Sequence, residues 1–108
     1  MKLITKDIER LCAGNLKKPE EARRPYLKLF NAFGQGTWLI SEINEDGTMF
    51  GLCDLGMGCP ELGYVALSEI TEMRMGSVPM IERDQYWAPE KTLMQYYEDA
   101  RVAGGIEV

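Results

Sequence analysis

The sequence predicts an α+β fold: a four- or five-stranded antiparallel meander sheet packed with an N-terminal and a C-terminal helix. Three observations predict it. Apolar residues follow a helical period near each end and a period of two through the middle of the chain. Turn chemistry recurs at short intervals in that middle region, at Gly34-Gln35-Gly36, Asp46-Gly47 and Gly56-Met57-Gly58. A length of 108 residues, 45% apolar and 27% charged with no internal repeat or linker, fits one core, so residues 1–108 read as a single domain.

The elements follow in order. Thr5 is an N-cap for a helix over residues 5–13, with Asp7 and Glu9 in its first turn and Ile8, Leu11 and Cys12 on one face. Gly14-Asn15 ends it in the left-handed conformation, and residues 15–25 form a charged loop bounded by Pro19 and Pro25. Residues 26–33 are a first strand with Leu27, Leu29 and Phe33 on one face. Residues 37–43 are a second, with Leu39 and Ile43 opposite Trp38 and Ile40. Asn44 to Gly47 make a hairpin into a third strand, Thr48 to Asp54, where Gly51 marks a bulge or a close approach. Gly63 to Leu67 form a fourth, Ser68-Glu69-Ile70 a capped turn, and Glu72 to Met75 a short edge strand. Pro79 to Asp84 are extended or turn-like. Pro89 opens a closing helix over residues 90–103, with Leu93, Tyr97 and Ala100 inward, Met94 beside them, and Gly104-Gly105 at its end.

Composition excludes more than it assigns. There is no histidine, which removes His-based nucleophile pairs, proton shuttles and metal sites. Cys12, Cys53 and Cys59 are an odd set without a disulfide framework, and the C-x5-C pair lacks the spacing and ligand number of structural zinc, so no metal and no cofactor is expected. No apolar run is long enough for a signal peptide or a membrane span, and the expectation is a cytoplasmic protein that does not engage a membrane. The formal charge of −5 is unevenly spread. Residues 1–30 hold eight basic and four acidic side chains, a balance of +4, whereas residues 31–108 hold four and thirteen, a balance of −9.

Thr37-Trp38, Asp46-Gly47, Phe50-Gly51, Pro60-Glu61-Leu62-Gly63-Tyr64, Leu67-Ser68-Glu69, Ile81-Glu82-Arg83-Asp84, Tyr86-Trp87 and Pro89 occur in that order. The chain thereby resembles a family of small bacterial proteins known as domain of unknown function 2958, common on plasmids and other mobile elements. The likeness runs from Leu3 to about Leu93, most specifically in the Pro-Glu-Leu-Gly-Tyr and Ile-Glu-Arg-Asp segments. Gly58-Cys59 depart from the family's frequent aromatic, and Tyr96 to Val108 make a longer closing segment. The resemblance implies a fold and a genetic setting; it carries no activity.

Candidate sites are read two ways. Glu61 and Tyr64 sit at a strand mouth for recognition, or Pro60, Gly63 and Tyr64 merely end a loop and fill the sheet surface. Glu82, Arg83 and Asp84, next to Tyr86 and Trp87, offer a planar clamp for carboxylate or phosphate through Arg83; alternatively Arg83 pairs with Glu61 or Glu82 and pins the late segment. Met73, Met75 and Met80 lie with Val78 in a segment suited to partner contact or dimerisation. Paired carboxylates such as Glu61 and Asp84, with Glu82 beside them, offer general acid–base work or a hold on Mg²⁺, and no enzyme motif accompanies them. The leading expectation is a non-enzymatic binding protein of a mobile element, whose acidic surface engages a protein partner such as a host defence or nucleic-acid enzyme. Glu61, Tyr64, Met73, Met75, Met80, Glu82, Arg83, Asp84 and Trp87 are its contact candidates. The alternative is a nucleic-acid accessory protein using Lys17, Lys18, Arg23, Arg24 and Lys28, with Tyr26 for stacking.

Overall fold

The computed structural model describes residues 2–108. Helix α1 spans Lys6–Asn15, and the Thr5 hydroxyl caps it by accepting from the Ile8 N–H at 3.2 Å. Four strands follow as a meander: β1 Leu27–Asn31, β2 Thr37–Ile43, β3 Thr48–Asp54 and β4 Glu61–Ala66. Helix α2 (Leu67–Glu72) and a separate two-stranded hairpin, β5 Arg74–Met75 with β6 Val78–Pro79, carry the chain across the molecule. Strand β7 (Ile81–Arg83) then pairs antiparallel with β1, and helix α3 (Leu93–Ala103) closes the chain. The main sheet runs β4-β3-β2-β1-β7, so the fold is α+β with a five-stranded antiparallel sheet.

The sheet is packed on both faces. Leu27, Leu29, Trp38, Ile40, Met49 and Ile81 line the first, under Ile4 and Ile70. Leu39 and Leu52 line the second, under Leu93, Tyr96 and Ala100 of α3. Strand β2 is buried from Trp38 to Ser41, which leaves the centre of the sheet closed to partners.

Several expected details are corrected. Gly14 does not adopt a positive φ, and Asn15 stays within α1, fully buried. The buried positions of that helix are Cys12 and Asn15, while Leu11 is exposed. Phe33 lies past β1 in the turn and is half exposed. Ile43 shares the first face with Trp38 and Ile40, because a bulge between Ile40 and Glu42 inserts one residue and inverts the alternation. Residues 72–75 do not edge the main sheet, whereas residues 81–83 form its fifth strand. Helix α3 starts later than Pro89 predicts: Thr92 is its N-cap, and Tyr96 rather than Tyr97 is the buried aromatic.

Asn15 fastens α1 to the bulge. Its Nδ2 donates to the carbonyls of Arg24 and Ser41, each at 2.8 Å, and its Oδ1 accepts from the Arg24 N–H at 3.2 Å. Gly51 is the matching requirement on β3. A Cβ there would lie 2.0 Å from the Leu39 carbonyl oxygen, a space only glycine leaves open.

Candidate functional site

The nine predicted contact residues do not form one surface. Glu61 and Tyr64 belong to β4, at one edge of the sheet, and Glu82, Arg83, Asp84 and Trp87 belong to the β7 side, at the other. This order separates Glu61 from Asp84 and removes the carboxylate dyad. It also removes Arg83–Glu61 pairing, and Arg83 makes no ion pair with Glu82 either. The pinning role expected of that arginine is absent among the described residues.

At the β4 edge, the register Gly51↔Gly63, Leu52↔Leu62 and Cys53↔Glu61 places Glu61 and Gly63 on the first face. Tyr64 points to the second face, with its ring 5.0 Å from that of Phe50, and is 69% exposed. The Ala66 N–H leaves the ladder to bond the Glu69 carboxylate at 3.1 Å. That sets the phase of the strand, so Leu62 and Tyr64 turn their backbone N–H and C=O groups outward. A cavity of about 300 Å³ adjoins this edge on the first face, lined by Trp38, Cys53, Glu61, Gly63, Glu69 and Met73. Gly63 is part of this lining, and an added Cβ there would meet nothing within 4 Å. Glycine at 63 is therefore not demanded by packing, unlike Gly51.

The methionines separate in the same way. Met73 and Met80 are half-buried and rest on the core, while Met75 on the small hairpin is exposed with Val78. Trp87 is half-buried and packs against the second core cluster 5.8 Å from the Tyr96 ring. The aromatic that stands in solvent is its neighbour Tyr86, 98% exposed. Leu55 and Met57, in the glycine-rich loop before β4, are also exposed apolar residues.

The basic segment is partly consumed by internal contacts. Arg23 pairs with Glu42 at 3.0 Å and Lys28 with Asp84 at 3.2 Å, both with little side-chain exposure. Lys18 Nζ lies 3.5 Å from the Tyr26 hydroxyl and 5.9 Å from the ring centre, at the hydroxyl end of the ring. Lys17, Lys18 and Arg24 remain exposed.

Thiol chemistry is suppressed where it is buried. Burial pushes the Cys12 thiol up to about 12. Burial, with Asp54 and Glu61 nearby, also raises that of Cys53. Among the described residues no group of three Cys, Asp or Glu is placed to hold a metal ion, and no helix is long and apolar enough to cross a membrane.

Neither curated proteins nor solved structures provide a match to the chain. The family model described as "Protein of unknown function (DUF2958)" matches residues 3–107. The match extends beyond the expected limit near Leu93 and takes in α3 and the tail. With nearly its whole length so matched, the chain belongs to the DUF2958 family.

Proposed function

We propose that this protein is a non-enzymatic binding protein of a mobile genetic element, and that its β4 edge receives a basic, extended segment of a protein partner. The observation that carries the reading is the unpaired edge itself, flanked by an exposed carboxylate, an exposed aromatic and an open cavity. An added strand gains main-chain hydrogen bonds from Leu62 and Tyr64, while alternate side chains find separate surroundings on the two faces. On the first face a side chain enters the cavity beside Glu61 and Glu69, a setting that favours lysine or arginine. On the second face it meets the Phe50–Tyr64 pair. Glu45, Asp46 and Glu72, all exposed, extend the acidic rim and steer a basic partner. The genetic setting comes from the family resemblance, and a host nucleic-acid enzyme is a partner class with a fitting basic surface.

The test is capture from host lysate at low and high salt, with wild-type bait and two variants. Tyr64→Pro deletes one outward N–H without touching the β3 ladder, and Glu61→Lys reverses the rim charge. A partner bound at low salt, released at high salt and weakened about fivefold or more by each variant supports the reading. A partner held equally by all three baits, or none at all, overturns it.

A further inference from the structure

We propose that Arg83 anchors a binding site for a small organic carboxylate, at the sheet edge opposite β4. The start of β1, the end of β7 and the first turn of α1 enclose a cavity of about 300 Å³ there, whose lining includes Ile8, Tyr26, Lys28, Arg83, Asp84 and Trp87. Its volume is at the small end of ligand cavities.

The charge count identifies the ligand. Lys28 Nζ lies 3.2 Å from Asp84 Oδ2 and 3.1 Å from the Val108 oxygen, so that ammonium is neutralised from within. Arg83 is half-buried and has no carboxylate within ion-pair distance among the described residues. Its Nε–H is shielded from water and meets no acceptor in the protein. The charged side chains that line the cavity, Lys28 and Arg83 against Asp84, therefore leave one surplus positive charge, on a group whose planar fork matches a carboxylate. The Nε–H is enclosed by protein, so the donors that the cavity offers to a carboxylate are the Nη groups of the same guanidinium, which form no ion pair among the described residues. One surplus charge balances a monoanion. A phosphate dianion brings a second negative charge close to Asp84, which opposes it. Ile8, Tyr26 and Trp87 contribute to a lining that is otherwise mostly polar, with Thr5 and Gln85 beside the charged groups, so the carboxylate belongs on a small body.

The experiment titrates the full nitrogen-15-labelled chain with benzoate, acetate and inorganic phosphate, following the Arg83 Nε–H and Trp87 indole N–H resonances. Benzoate and acetate are expected to give saturable shifts at both, each binding about tenfold tighter than phosphate. Arg83→Lys keeps the charge, loses the fork and weakens benzoate about tenfold. Asp84→Asn raises the surplus to two charges and moves the preference toward phosphate. Non-saturating benzoate shifts overturn the proposal, as do shifts unchanged in Arg83→Lys or phosphate binding as tight as benzoate in the wild type. The first and last of these readouts need only the wild-type chain, so a variant that fails to fold does not shelter the proposal.

Discussion

Two glycines on neighbouring strands show how little a residue type says without its surroundings. Gly51 and Gly63 face each other in register, yet a Cβ on the first collides with the Leu39 carbonyl and on the second meets open space. Gly51→Ala is expected to destabilise by about 3 kcal/mol, read by denaturant unfolding, since backbone must move to admit the methyl. Gly63→Ala is expected to leave stability unchanged or raise it by roughly 0.5 kcal/mol, while narrowing the cavity beside β4. The thiols divide as sharply. Cys12 is buried and Cys59 exposed, so a thiol reagent labels Cys59 in the native protein and Cys12 only on unfolding. Cys12 also carries a pH signature. Its folded pKa, raised by burial from 9.0 to about 12, means the unfolded chain releases the proton first as pH rises. Its contribution to stability is full below about 9 and is lost as pH climbs towards about 12. Unfolding curves collected across that window fall less steeply for Cys12→Ala than for the wild type if this thiol contributes as described.

At the scale of elements, sequence pattern was most informative where turn chemistry bracketed a strand on both sides. The limits read for β2 and β3 are those observed, because Gly36 and Gly47 adopt the positive φ their turns require. The bulge at Ser41 was not legible, since alternation assumes an uninterrupted ladder and Ser41 carries no mark of an inserted residue. Its hidden support is Asn15, a polar residue that the pattern assigned to a helix stop and that instead holds two carbonyls and one N–H. Asn15→Ala strands those groups in a buried site and is expected to cost on the order of 3 kcal/mol by thermal or denaturant unfolding. Strand β7 reads in the sequence only as part of an extended or turn-like stretch, because three residues are too few to show a period. Tyr86 and Trp87 are the same kind of residue in sequence, and only the fold decides which one turns inward. Trp87→Ala should therefore cost about 3 kcal/mol of stability, whereas Tyr86→Ala stays within about 0.5 kcal/mol.

For the whole molecule, the fold class was legible and the site only in fragments. Glu61, Tyr64 and Arg83 were each recognised as unusual, but one dimension does not say that the sheet order sets the first two at one edge and the third at the other. Nor does it say that Arg23 and Lys28 spend their charges on Glu42 and Asp84. The +4 balance of the first thirty residues is thus smaller as a surface than as a count. The order of the strands has a temporal consequence as well. Strand β1 is made early but is flanked on one side only until β7 arrives, and β7 must wait for α2 and the small hairpin to span the molecule. During synthesis the meander accordingly has the five-residue β1, rather than the three-residue β7, as one of its two edges. A chain arrested before Ile81 offers β1, with Leu27 and Leu29, to any neighbouring nascent chain. The three residues Ile81, Glu82 and Arg83 thus act as the clasp that ends this vulnerable interval.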